Sequence, residues 1–382
     1  MASGGARAEQ QAIWTLLAGN ALTEVGIGFF LPILPIFLSR RGGSPILVGL
    51  IFALGVVARA LAQYPGGRLS DRVGRKPVMV AALAVYALLF PAYLLPLPLP
   101  ALLPLRFVQA FAAGFYLPAA AALVADLTVA DQRGQAFGRL RASEMVGLVL
   151  GPALGGLVAG IRLESIFVAG ALICGAAALV MLRLPDGSQR PRSEAIAPGA
   201  DVSILRLILP AVLLGSAIYY AFGNYDAVWS LYMTHVGAGT FLVGLSFAAY
   251  AVPIVVLSGS LGGVIDRLGP RRAGLLAVSG YGLFNAAYPF ITNVAALIGI
   301  GVVEGTMTAA GNPALAAEVS RAAPPGRQGR VQGVYQTALT GSEAVGALAG
   351  GALYSITPGF AFWAASGVSI LGVVAAMTVS RR

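Results

Sequence analysis

Long apolar stretches alternate along the chain with short polar turns, and that alternation predicts the elements. Apolar runs lie near 12–38, 45–65, 77–97, 99–123, 136–160 and 163–184. A polar segment at 185–203, PDGSQRPRSEAIAPGADVS, interrupts them. Six more runs follow near 204–234, 240–262, 272–292, 294–318, 331–355 and 360–380. A helix needs about 20 apolar residues to cross a bilayer, so each run predicts one span and the chain about twelve. The pair covering 77–123 is nearly continuous, broken only by the proline-rich LLPLPLPALLP. The first eleven residues are polar and lead straight into a span without a charged leader or small-residue cleavage site. A retained helix is expected there, not a signal peptide. The predicted organisation is a six-helix half at 1–184, a cytoplasmic linker at 185–203 and a second six-helix half at 204–382.

Composition narrows the function classes. Of the 382 residues, 58% are hydrophobic and 10% charged, against about a quarter charged in soluble domains. One cysteine (Cys174) and one histidine (His235) exclude a disulfide framework and a zinc cluster, so neither metal nor cofactor is expected. There is no H-E-x-x-H and no Walker loop, and Lys76 is the only lysine; an enzyme is not expected. The net charge of +10 is explained by where the charges fall. Arg68, Arg72, Arg75, Lys76, Arg133, Arg139, Arg141, Arg183, Arg190, Arg192, Arg206, Arg267, Arg271, Arg272, Arg321, Arg327, Arg330, Arg381 and Arg382 all lie on one predicted side. Only Arg40, Arg41 and Arg162 lie on the other. This positive-inside pattern puts both termini and the linker in the cytoplasm of a plasma-membrane protein and leaves no role for nucleic acid.

The halves are copies. An offset of 195 residues gives identities at Leu47, Val48, Gly49, Leu50, Phe52, Ala53, Val57, Gly67, Asp71, Arg72 and Gly74. It also pairs Pro118 with Pro313, Gly134 with Gly329, Gly138 with Gly333, and Gly155–Gly156 with Gly350–Gly351. Each copy holds an even number of predicted spans, so the halves are parallel, an arrangement that holds substrate between repeats.

The loop expected after the second span, GGRLSDRVGRKP, carries Gly67, Leu69, Asp71, Arg72, Gly74, Arg75 and Lys76, with a degenerate copy at Gly262, Asp266, Arg267 and Gly269. It resembles the G-x-L-x-D-R-x-G-R-K signature of the major facilitator superfamily. Its carboxylate could cap a facing helix or pair with arginine, latching the cytoplasmic side in one conformer. The fifth span, GLVLGPALGGL, with Gly147, Gly151, Pro152, Gly155 and Gly156, looks like the motif of that family's proton-driven exporters. Its glycines at every fourth position bare one helix face for close packing. RFVQA, with Arg106 and Gln109 followed by Ala110, resembles the family's R-x-x-Q-G element. The resemblance covers nearly the whole chain and is nearest to the twelve-helix drug/proton antiporters. It implies an all-α membrane protein of twelve transmembrane helices in two parallel six-helix repeats, working by alternating access.

Chemistry is then expected from charges inside the bilayer. Glu24, Glu144, Asp226, Glu304 and Glu343 lie within apolar runs, as do Arg59 and Arg106. Such a residue costs about 2.5–3.5 kcal/mol at midspan and needs a partner, a wet cavity or a proton. Asn20 and Glu24 share a face at i, i+4, and Arg106 and Gln109 share one at i, i+3; the repeat offset sets Glu304 on Gln109. Glu24, Arg106, Asp226 and Glu304 are the expected proton-coupling residues; Glu144 and Glu343 read equally well as structural pairs. In AIYYAFGNYDAVWSLYM, Phe222, Asp226 and Trp229 align, with Tyr225 beside them. Aromatic faces and a carboxylate suit a lipophilic organic cation, although Trp229 and Tyr232 also fit an interfacial belt. Asn20, Glu24, Gln109, Phe222, Tyr225, Asp226, Trp229 and Glu304 form the expected substrate surface. The predicted function is proton-coupled export of lipophilic, cationic small molecules by a monomer in membrane lipid; export of lipids, glycolipids or sugars is the alternative.

Overall fold

The computed structural model describes residues 2–129, 132–185, 202–257, 260–324 and 327–379. Most of the polar segment at 185–203 lies outside them, as do Arg190, Arg192, Arg381 and Arg382. The described residues form helices and turns, with no strand among them.

In the first half the helices are α1 (Ala2–Phe30), α2 (Leu34–Arg40), α3 (Pro45–Val73), α4 (Arg75–Leu89), α5 (Leu102–Leu127), α6 (Arg133–Ile161) and α7 (Ser165–Met181). In the second they are α8 (Val202–His235), α9 (Thr240–Leu257), α10 (Gly262–Leu268), α11 (Pro270–Ala287), α12 (Val294–Ala322), α13 (Gln328–Ile356) and α14 (Pro358–Val379). A helix stands at each of the twelve expected stretches. Nine helical stretches among the described residues are long and apolar enough to cross a membrane. The helix α7 has 17 residues, while Gly, Ser, Thr and charged side chains dilute α11 and α13.

Three boundaries differ from expectation. The first stretch is two helices, because Pro32 withholds an N–H and breaks the ladder between Phe30 and Leu34. The prolines after α4 give two short 3-10 turns, Pro91–Leu94 and Leu99–Ala101, instead of a plain break. Most of the expected second loop is helical: α3 runs on to Val73, and Gly74, at φ 101°, is the single residue separating it from α4. Only glycine adopts that conformation without strain.

The chain folds into two compact units, Met1–Phe37 with Leu54–Ser193, and Leu38–Ala53 with Glu194–Arg382. Their internal packing repeats. In the first, α1 packs on α6 and α7, and α4 on α5 and α7; in the second, α8 packs on α13 and α14, and α11 on α12 and α14. The four positive-φ glycines fall into two pairs at the repeat offset, Gly42 with Gly237 and Gly74 with Gly269.

The tightest seams use the glycine faces. On α6, Cβ atoms at Gly147 and Gly155 would collide with Glu24 and Phe29, and one at Gly151 would stand 2.8 Å from the Gly28 carbonyl carbon. Pro152 and Gly156 are buried beside them. On the repeat-related seam, Gly346 meets Tyr220, Gly350 meets Asn224, and Gly223 of α8 meets the Glu343 carbonyl. These backbone approaches let α1 and α8 sit centrally in their units and present their other faces to α7 and α14.

Candidate functional site

Buried polar groups concentrate at repeat-related places in the two units. In the second unit, Glu304 on α12 is 2% exposed. Its Oε1 accepts from the Tyr225 hydroxyl at 2.9 Å and its Oε2 from the Tyr288 hydroxyl at 2.7 Å. Asn285 Nδ2 donates to the Tyr225 oxygen at 2.6 Å and to the Tyr281 carbonyl at 2.9 Å. The carbonyl can only accept, so the amide orientation is fixed and Asn285 Oδ1 is the atom left buried without a partner. Tyr250, Tyr281 and Thr308 share a second hydroxyl cluster, and Thr308 donates to the Glu304 backbone carbonyl. Phe222 packs on Tyr250 and Tyr281, and Trp229 on Tyr225 and Tyr288. The result is an acceptor-rich, aromatic cage. Among the described residues of the second unit no cation lies in ion-pair range of Glu304.

The first unit carries its counterpart. At the repeat offset Tyr93 answers to Tyr288, Tyr86 to Tyr281, Phe167 to Phe362, Phe30 to Tyr225 and Gln109 to Glu304. The geometry repeats too: the Tyr93 hydroxyl donates to Gln109 Oε1 at 3.0 Å, as Tyr288 does to Glu304. Arg106 Nη1 donates to the same Gln109 oxygen at 3.2 Å, and its guanidinium lies 5.7 Å from the Phe30 ring centre. Arg106 is 7% exposed and Gln109 fully buried.

Of the two expected pairs, Arg106 and Gln109 on α5 are bonded to each other, while Asn20 and Glu24 on α1 each meet α6. Asn20 Nδ2 donates to Ser143 Oγ on α6 at 2.9 Å, and Glu24 packs on Gly147 of the same helix. The charged neighbours of Glu24 are Glu144, Arg59 and Arg141, with Glu144 paired to Arg141. Asp226 is half-buried and is not among the partners of Glu304. The stripe of α8 that meets the cage runs through Phe222, Tyr225 and Trp229, and Asp226 sits at its flank. Trp229 and Tyr232 are buried within the second unit: Trp229 Nε1 donates to Ser246 at 2.9 Å, and Tyr232 to the Tyr288 carbonyl at 2.6 Å. Tyr250, Tyr281, Asn285 and Tyr288 do not stand out in the sequence; projecting Tyr86 and Tyr93 through the repeat finds Tyr281 and Tyr288.

The signature segment is an ionic node within the first unit. Arg75 is 8% exposed; it pairs with Asp71, donates to Asp126 at 3.2 Å and to Ser70 Oγ at 2.8 Å. Gly67 sits one turn earlier and accepts from Ser70. Arg72 and Lys76 are exposed or half-exposed beside it. In the second unit Asp266 pairs with Arg321 at 3.3 Å on the surface, next to Arg267. A separate groove of about 530 Å³ between α8, α13 and α14, lined by Leu213, Tyr220, Ser342, Val345 and Leu371 among others, holds no charged side chain.

Comparison with known proteins agrees with this duplicated architecture. The family model of the Major Facilitator Superfamily matches residues 16–225 and 211–382. The chain is 26% identical to Multidrug resistance protein 2 of Bacillus subtilis, covering 96% of this chain and 94% of that one. It is 28% identical to the class G tetracycline resistance protein of Vibrio anguillarum, covering 88% and 89%. Among solved structures it superposes on the D323A mutant of the nucleoside transporter NupG with a TM-score of 0.81 at 15% identity, covering 96% and 99%. A bacterial homologue of the lysosomal transporter Spinster gives a TM-score of 0.75 at 15% identity, covering 98% and 97%. The chain belongs to the major facilitator superfamily, multi-pass membrane transporters of small molecules.

Proposed function

We propose that this protein is a proton-coupled exporter of lipophilic organic cations. The observation that carries the reading is Glu304, a buried carboxylate whose two oxygens are held by tyrosine hydroxyls and which no cation neutralises among the described residues of its own unit. A carboxylate in that setting needs a proton or a bound cation, so the two compete for one place. The faces of Phe222, Tyr225, Trp229 and Tyr288 supply the apolar, cation-attracting wall, and Asn285 Oδ1 supplies a further acceptor. The drug-resistance names of the relatives support export of drug-like molecules.

Glu24, Arg106 and Asp226 are the other residues assigned to coupling, and Asn20 and Gln109 to substrate contact in the first half. The chain works as a monomer of twelve spans in the plasma membrane, in halves 1–184 and 204–382 joined by a cytoplasmic linker, with both termini cytoplasmic. Asp71 and Arg75, with their second-half relatives Asp266 and Arg267, latch the cytoplasmic side during alternating access.

The test is efflux of a cationic dye from proteoliposomes under an imposed pH gradient, beside equilibrium binding at several pH values. Glu304→Gln should abolish gradient-driven efflux and flatten the pH dependence of binding, since an amide cannot exchange a proton for a ligand. Unaltered pH dependence would make Glu304 a structural group. The uncharged groove between α8, α13 and α14 favours a second reading, export of amphiphilic lipids; flux of a labelled lysolipid exceeding that of the dye decides for it.

A further inference from the structure

We infer that Arg106 and Gln109 form a second ligand subsite, in the first unit, that takes an oxyanion such as a substrate carboxylate; this deepens the reading of the protein as a small-molecule transporter and rests on it. Arg106 Nε and Gln109 Nε2 are both buried without a hydrogen-bond partner. Gln109 Oε1 receives the Arg106 guanidinium, which can only donate, so the amide cannot be turned round and its unpaired group is the N–H donor. Both vacant groups are therefore donors on side chains that are bonded to each other.

The charge is unmatched as well. Among the described residues of the first unit no carboxylate lies in ion-pair range of Arg106; its surroundings there are Gln109, Phe30, Tyr86, Tyr93 and Gly55. A buried guanidinium whose partners are a neutral amide and two tyrosines is an expensive arrangement. An oxyanion removes both deficits at once, through charge-assisted bonds to Nε–H and to the amide.

Repeat comparison gives the arrangement its meaning. The same framework of two tyrosines and an aromatic ring holds Glu304 in one unit and Gln109 with Arg106 in the other. One copy ends in an unpaired acceptor, Asn285 Oδ1, the other in unpaired donors. Gly55 completes the donor copy: a Cβ there would stand 2.9 Å from Arg106 Nε and 3.2 Å from Nη2. The Gly55 backbone packs on that edge of the guanidinium, where a side chain would crowd Nε.

The experiment uses the full chain in nanodiscs of neutral phosphatidylcholine, and a xanthene dye bearing a free benzoate beside the methyl ester of the same dye. Charge-assisted hydrogen bonds predict that the wild-type protein binds the acid about tenfold or more tightly than the ester. Arg106→Gln should erase that ratio. Gln109→Leu and Gly55→Ala, which keep the arginine, should lower it severalfold by weakening the acid alone. Equal affinity for acid and ester in the wild type overturns the proposal. So does a preference that survives in all three variants, or a loss of affinity shared equally by acid and ester. Efflux of the ester dye and its dependence on Glu304 report on the transport reading, whereas the acid-to-ester ratio reports on this subsite alone.

Discussion

Two tyrosine hydroxyls at repeat-related positions do the same geometric job on different acceptors. Tyr288 donates to a carboxylate and Tyr93 to a neutral amide. A hydrogen bond to a charged group contributes about 1.5–3 kcal/mol and a neutral one about 0.5–1.5. Tyr288→Phe should therefore destabilise the protein about twice as much as Tyr93→Phe when Glu304 is ionised. Acidification protonates the carboxylate and makes the two bonds alike. Thermal unfolding of both variants in detergent should show a gap at high pH that closes as the pH falls; a gap that persists at low pH contradicts the role given to Glu304. The sequence exposed Glu304 and Gln109 because charge and amide stand out in an apolar run. It hid Tyr281, Tyr288 and Asn285, which there look like ordinary packing residues, and only spatial convergence on one carboxylate gives them a role. Asp226 and Tyr225 stand out equally on the aromatic stripe, and packing sets Tyr225 directly on Glu304.

At the scale of elements, duplication has preserved the skeleton and exchanged the charges. Gly74 and Gly269 make the same turn, and Asp71 and Asp266 precede it equally. Arg75, however, becomes Pro270, and Asp126 becomes Arg321. Losing the central cation in the second copy is offset by placing one on α12, so Asp266 still finds an arginine. The two nodes differ in depth. Arg75 is buried and holds Asp71, Asp126 and Ser70, whereas Asp266 and Arg321 have side chains 72% and 63% exposed. Removing one partner of a buried pair costs about 3–5 kcal/mol and of an exposed pair about 0–1. Arg75→Ala should thus lower the unfolding temperature clearly, near the lower end of the buried range because Asp71 keeps water, while Arg321→Ala should scarcely move it. Comparable losses in the two variants would show that burial does not separate the nodes. The motif was legible as a charge pattern, but its setting as the end of a helix was not: nothing in GGRLSDRV marks whether the backbone stays α-helical until the one glycine with positive φ.

For the whole molecule the question is how a single exchangeable proton can drive export. A charge crossing 100 mV is worth about 2.3 kcal/mol and one pH unit about 1.4. For a neutral substrate exchanged against one proton both terms act, and together they sustain a concentration ratio of several hundredfold, about 1.4 kcal/mol per factor of ten. A monovalent cation exchanged against one proton moves no net charge, so voltage cancels and only about tenfold per pH unit remains. The cage around Glu304 offers one carboxylate, and therefore predicts the electroneutral case for cations. In proteoliposomes with potential clamped by potassium and valinomycin, the limiting gradient of a monovalent cationic dye should follow the pH difference and ignore the potential. A neutral substrate in the same vesicles should respond to both. Dependence of the cation gradient on potential would mean that a second proton crosses with the first, and Glu24, set against Gly147 in a cluster with Glu144, Arg59 and Arg141, is where it would ride. Glu24→Gln would then return the cation gradient to potential-independence and cut its pH-driven part from about a hundredfold to about tenfold per pH unit.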